Sequence, residues 1–251
     1  DGHTDTELQA GWKYYLPEEE QEPAVKRQLD ELRKDAKNIQ PQDIRIIDPC
    51  MGSGHILVYA FDVLIQIYEA AGYSDREAAQ SILKYNLYGI DIDKRAYQLA
   101  SFALFMKARQ YNRRILTKNL ELRLAVIEES NGLQRWDELS GTDLVGGKQL
   151  DFDSQYVETA NYLIDVFQYA KEYGSILKIE SRDYDGLLNY IERLQREGAD
   201  GNLLFDGWIR EMSERLPGLV KQAKLLASQY DVVITNPPYM GNKSMNYKLS
   251  N

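Results

Sequence analysis

A short apolar run, Ile44-Arg45-Ile46-Ile47, stops at Asp48-Pro49-Cys50-Met51-Gly52-Ser53-Gly54, and a helical pattern follows at once from His55 to Ala71. No other feature constrains the fold as much. A buried strand enters a tight turn, and the turn opens straight into a helix. The succession then repeats. Leu87-Tyr88-Gly89-Ile90 reads as a second strand ending in Asp91-Ile92-Asp93, and a helix follows from Lys94 to about Gln110. That helix is apolar nearly all round, which predicts burial against a sheet face. Leu122 to Ile127 reads as a third strand, and Tyr230 to Ile234 as a fourth. Strand–helix alternation of this kind implies an α/β fold, a doubly wound parallel sheet with helices on both faces.

The third and fourth strands are separated by residues 134–224, far more than one crossover needs. Helical patterns at 155–173, 183–197, 203–215 and 217–228 predict a helical insertion whose last helix leads into the fourth strand. Tyr162, Val166, Tyr169 and Tyr173 fall at helical spacing, either as a packing face or as an aromatic partner-binding face. Ahead of the first strand, residues 1–22 carry seven acids against Lys13 alone. They read as a surface segment pinned by Trp12, Tyr14 and Tyr15. Pro23 suits a first helical turn, so residues 24–38 read as an exposed helix that Pro41 stops. The predicted organisation is thus 1–43, an acidic segment with one helix; 44–133, a first αβ part; 134–224, the insertion; and 225–251, a return strand with its loop.

Asp48 to Gly54 has the form D-x-x-x-G-x-G between strand and helix, the context a nucleotide-type ligand needs. Glycines let a ligand approach the backbone, and the helix from His55 aims its free N–H groups at the cleft. A tight βα turn without a ligand is the alternative reading. Asp91 ends the second strand, where an acid reaches the ribose hydroxyls of a bound nucleoside and accepts two hydrogen bonds at once. Asp93, just before Lys94-Arg95-Ala96, reads as a helix N-cap.

Asn236-Pro237-Pro238-Tyr239 follows the fourth strand. Residues before proline are held extended, and prolines lack N–H donors. What remains is a stiff rim with an amide oxygen, a bare carbonyl and an aromatic plane. That set fits a planar group bearing an amino substituent.

Composition narrows the partners. The chain has 251 residues, 39 acids against 30 bases and a net charge of −9, which opposes binding of a polyanion unless bases cluster. Lys94, Arg95, Lys107, Arg109, Arg113, Arg114, Lys118 and Arg123 against Glu121 alone form one such cluster, either a phosphate-facing patch or a solvated helix end. One cysteine and two histidines make disulfides impossible within the chain and a metal site improbable, so none is expected. The most apolar run, Ile56 to Ala71, carries Asp62, Gln66 and Glu69 and is too short and polar to span a bilayer. With no visible signal peptide, a cytoplasmic location is expected.

Together these residues resemble the S-adenosylmethionine-dependent methyltransferases of the adenine amino group in DNA. Asp48 to Gly54 is similar to that family's first motif, Asp91 to its second and Asn236 to Tyr239 to its fourth. Residues 48–108 are similar to the adenine-specific enzymes of BREX phage-defence systems, whose relatives serve restriction–modification. The resemblance covers most of 12–133 and 225–243 and implies a Rossmann-like methyltransferase sheet, here partial. It implies S-adenosylmethionine as cofactor, held by Asp48, Pro49, Gly52, Ser53, Gly54 and Asp91. Asn131 lies in the nearest match to the third motif, although an acid is commoner there. It further implies double-stranded DNA as partner of the full-length protein, alongside other defence-system subunits.

The sequence also departs from the family. No Thr-Pro type motif precedes the first strand, and only 12 residues follow Tyr239, so the chain reads as an internal fragment of a larger protein, inactive by itself and weak in DNA binding. Three other readings stay open: a non-catalytic cofactor-binding module, a protein-glutamine N5-methyltransferase, and a nicotinamide dehydrogenase. The last leaves the Asn-Pro-Pro-Tyr rim unexplained.

Overall fold

The computed structural model describes residues 6–12, 14–33, 39–138, 152–197 and 203–237. Two short helices, α1 (Thr6–Ala10) and α2 (Pro23–Leu32), precede the sheet, with Pro23 at the start of α2 as expected. The acidic segment is pinned through its aromatics: Trp12 Nε1 donates to Gln66 Oε1 at 3.0 Å, and Tyr14 meets Tyr59 edge-on. Then follow β1 (Ile46–Asp48), α3 (His55–Ala70), α4 (Asp75–Ser81), a π turn over Ile82–Asn86, β2 (Leu87–Asp91), α5 (Lys94–Tyr111) and β3 (Arg123–Val126). Helices α6 (Ser154–Val166), α7 (Ala170–Tyr173), α8 (Tyr184–Glu197) and α9 (Leu203–Ala227) lead to β4 (Val232–Val233).

All pairings are parallel, in the order β3-β2-β1-β4, with Ile47 opposite Tyr88 on one side and Val233 on the other. Alternation along the strands sorts side chains between two cores. Leu87 and Leu124 join Leu57, Phe61, Leu64 and Leu104 from the α3–α5 layer. Tyr88, Ile90 and Ala125 join Leu163, Leu187, Met212 and Leu219 from the α6–α9 layer. Both faces are covered, so the strands read as continuous apolar runs, and the fold is a doubly wound α/β sheet. The helices between β3 and β4 thus share a core with the sheet.

Three expectations change. The pattern at 155–173 is not one helix: α6 ends at Val166, and Tyr169 adopts a left-handed conformation with φ 56° before the short α7. Tyr162, Val166, Tyr169 and Tyr173 therefore do not share a helix face. Tyr162 instead accepts the Glu180 N–H at 2.7 Å, with Arg182 over its ring. The two helices expected around Pro217 are one continuous α9. An internal proline removes a backbone hydrogen bond, but Leu216, Leu219, Val220 and Ala223 are all fully buried and hold the helix on course. Finally, α5 is buried on one side only. Ala100, Leu104 and Ala108 face the core, while Leu99 and Phe102 are 57% and 65% exposed.

The approach to β1 is locked by Asn86. It is fully buried, donates through Nδ2 to Pro41 O at 2.6 Å and Ile44 O at 2.7 Å, and accepts from the Tyr68 hydroxyl at 2.9 Å. Burial pushes the Tyr68 hydroxyl far above its ordinary range, so it remains a donor at any physiological pH. Asn86→Ala strands two carbonyls and a hydroxyl in the core. Chemical denaturation should show a loss of about 3 kcal/mol, and a loss under half that would show the network to be dispensable.

Candidate functional site

In an open parallel sheet, ligands bind beyond the carboxyl ends of the strands, where the strand order reverses. Here that point lies between β1, whose loop runs on toward β2, and β4 on its other side. The loops after β1 and β4 therefore meet at one edge. Ile234 N donates to Ile47 O at 3.0 Å, which carries the pairing past β4 to the foot of both loops. One residue further, the Thr235 side chain lies beside the Asp48 carboxyl. Asn236 and Pro237 follow and are exposed. Pro238 and Tyr239, the rest of the expected rim, lie outside the described residues.

Asp48 is 1% exposed. Its Oδ1 accepts the Cys50 N–H at 3.0 Å, and its Oδ2 is buried with no hydrogen-bond partner among the described residues. Burial pushes this carboxyl above its usual range, Thr235 and the Cys50 N–H oppose that, and the Asp91 charge adds to it. The fold thus disfavours the ionised form. The contribution of Asp48 to stability is greatest where the carboxyl is protonated and falls as pH rises through its raised pKa. Asp48→Asn should melt higher than wild type at mildly alkaline pH and show little difference in acid. Equal melting at both pH values would rule out a buried-charge penalty.

The glycine turn is built as the sequence predicts. Gly54 N donates to Met51 O at 2.8 Å, and Gly54, with φ 83°, is the N-cap of α3 with no capping side chain. A Cβ on Gly54 would lie 2.9 Å from Ala100 Cβ and 3.0 Å from its Cα, so the turn rests directly on α5. Pro49 and Ser53, both half-buried, complete the turn between β1 and α3. Asp91 ties the first two loops together: Oδ2 accepts the Gly52 N–H and Oδ1 the Asp93 N–H, each at 2.8 Å. Asp93 caps α5 as expected, accepting the Arg95 N–H at 2.8 Å.

Asn131 is exposed, and its side chain works within the protein. Oδ1 accepts the Tyr169 N–H at 3.0 Å, and Nδ2 donates to Glu129 at 3.3 Å. The loop after β3 is also gripped by α9, through residues that sequence reasoning missed. Gln222 Nε2 donates to Glu128 O at 2.9 Å while its Oε1 accepts the Glu128 N–H at 2.6 Å. Arg215 donates to the carbonyls of Glu129 and Asn131, each at 3.0 Å. Arg215 and Gln222 stand seven apart on one helix face, but nothing local to them signals a loop so distant in sequence. Thr235 was missed because its interest lies only in its neighbour across the sheet.

The basic run 94–123 does not form one face at this edge. Helix α5 carries it away from Lys94, beside the Asp91 loop, down to Tyr111, a rise of about 27 Å. Arg113, Arg114 and Arg123 therefore sit toward the opposite end of the sheet. Lys107 is paired with Asp62 at 2.5 Å. Among the described residues no cluster of His, Cys, Asp and Glu could hold a metal ion, and no helix is long and apolar enough to cross a membrane.

The sequence matches known proteins. Residues 19–139 match the DNA-methyltransferase domain of MmeI, and residues 85–251 match the Eco57I restriction-modification methylase. The adenine-specific methyltransferase BrxX of Escherichia coli O9:H4 (strain HS) is 36% identical over 257 aligned positions, covering 97% of this chain and 21% of that protein. The adenine-specific methyltransferase PglX of Lacticaseibacillus casei (strain Zhang) is 40% identical over 245 positions, covering 93% of this chain and 18% of that protein. The chain spans about a fifth of the length of these curated relatives. A parallel sheet with a glycine turn, an acid-bridged second loop and an Asn-Pro segment at one edge accords with a family match that runs over most of the sequence: the chain belongs to the Eco57I restriction-modification methylase family.

Proposed function

We propose that this chain is the donor-binding and target-rim part of an enzyme that methylates the amino group of adenine in double-stranded DNA, with S-adenosylmethionine as donor. The observation that carries the reading is the shared edge: Ile234 N donates to Ile47 O at 3.0 Å, so Asn236 follows the fourth strand at the same edge where the glycine turn follows the first. The names of the two relatives supply the base, the family's name a restriction–modification setting, and the sequence resemblance to BREX enzymes a phage-defence one. A cytoplasmic place of action, with further defence subunits as partners, belongs to the same proposal.

The residues fit the donor. Asp48 is a buried carboxyl with an orphaned oxygen, and Asp91 sets a second acid nearby, so the site gains from a bound cation. S-adenosylmethionine carries a sulfonium and an ammonium, and it supplies an electrophilic methyl. Asp91 keeps free lone pairs beyond its two backbone bonds and is assigned the ribose hydroxyls. Gly52, Ser53 and Gly54 present backbone to the donor, with the uncapped start of α3 behind them. Pro49 stiffens the turn.

At the rim, Asn236 Oδ1 and the Pro237 carbonyl accept the two hydrogens of the adenine N6. The nitrogen then pyramidalises and frees its lone pair. Positive charge grows on it as the N–C bond forms and the C–S bond breaks, so both acceptors bind the transition state more tightly than the ground state. The displaced proton passes to water. Tyr239 is assigned the stacking surface beneath a base that must leave the duplex.

Transfer of labelled methyl to DNA by the full-length protein tests this. Asp91→Ala is expected to weaken S-adenosylmethionine binding by roughly 10–100-fold and transfer with it. Donor binding lost while DNA methylation continues would contradict the scheme.

A further inference from the structure

The corner of the chain from residue 169 to residue 176 touches all three loops that begin the donor edge. At its start, Tyr169 N donates to Asn131 and Lys171 N to Glu129 at 3.3 Å, both in the loop after β3. Gly174 lies over Ile92, in the loop after β2, where an added Cβ would meet Ile92 Cγ2 at an ordinary contact distance of 3.9 Å. Ser175 Oγ lies 3.7 Å from Cys50 Sγ in the glycine turn. A segment of the long β3–β4 connection therefore runs across the sheet edge from the third loop to the first.

We infer that this corner is the wall of the donor site on its purine side, an inference that rests on the donor reading above. The order of groups along the edge sets the side. Asp48, at β1, neighbours the rim where the methyl is delivered, and Asp91, at the end of β2, takes the ribose. A nucleoside extended past Asp91 carries its base over Ile92 toward the loop after β3, and the corner bridges those two places. Ile92 is 49% exposed beside it, an apolar surface of the kind a purine covers. Gly174 has φ 60° and ψ −139°, a backbone conformation side chains avoid, so bare main chain faces Ile92. Ser175 is half-buried and sets its hydroxyl beside Cys50 in the glycine turn.

Two measurements on the full chain decide it. Hydrogen exchange of the wild type is followed with S-adenosylhomocysteine, adenosine or methionine added in turn. Amides of residues 169–176 should exchange about fivefold more slowly with the first two and unchanged with methionine. In parallel, Ser175→Tyr, checked for an unaltered melting curve, should bind adenosine about tenfold more weakly by calorimetry. Bound S-adenosylhomocysteine that leaves the corner's exchange unchanged overturns the wall, and so does tighter adenosine binding by the variant. If Asp91→Ala loses S-adenosylhomocysteine while neither corner readout moves, the donor reading stands and the wall falls. If the wild type binds none of the three probes, both fall together.

Discussion

Asn236→Ala is expected to cut methyl transfer by the full-length protein roughly 10²–10³-fold while leaving S-adenosylmethionine affinity where it was. The size follows from what the amide oxygen does. It accepts a hydrogen whose acidity rises as the nitrogen takes on charge, so its loss is felt mainly at the transition state. Its position two residues past the last β1–β4 hydrogen bond puts it outside the glycine turn, so donor binding has no reason to change. Asn236→Asp separates geometry from charge. It keeps an acceptor, and partial recovery over alanine would locate the effect in accepting a proton bond. A variant that lost donor and transfer in equal measure would place Asn236 in the donor pocket instead.

Gly54→Ala should cost about 3 kcal/mol of folding stability, the sum of a left-handed backbone imposed on a side chain and a steric push against α5. The contact is with Ala100 Cβ at 2.9 Å and Cα at 3.0 Å, and a backbone atom cannot swing aside as a flexible tip would. Relief requires α5 to move outward, which would pull Asp93 and the Asp91 loop with it. Chemical denaturation gives the first number. S-adenosylhomocysteine affinity, measured on the folded fraction, should fall as well. A variant with wild-type stability would mean the turn can re-form without its left-handed residue, and the close packing would carry no weight.

Much of this architecture was legible because the strands are short runs of β-branched and apolar residues punctuated by turn chemistry. Ile46-Ile47 before Asp48-Pro49, and Ile90 before Asp91, mark their own ends. Asp93 declared its cap because capping is a contact across two residues. What escaped was set from afar. Nothing in the sequence around Tyr169 asks for a left-handed residue; its N–H is claimed by Asn131, 38 positions away. Pro217 reads as a stop, and only the buried side chains on both sides of it make the helix continue. The exposed Leu99 and Phe102 look like core in a sequence because apolarity alone does not say which neighbours are present. At the site, the residue types announced the two loops, each after a parallel strand and so at one sheet edge, and the strand order sets them side by side.

Arg215 and Gln222 give the long β3–β4 connection a consequence for anyone who would shorten it. Replacing residues 134–224 with an ordinary crossover would preserve the strand order on paper. It would also remove the clasp on Glu128, Glu129 and Asn131, and the helical layer that covers Ile90 and Ala125. A pared-down version would surrender one whole side of its sheet to water, so the smallest unit of this chain that can fold includes its apparent excess.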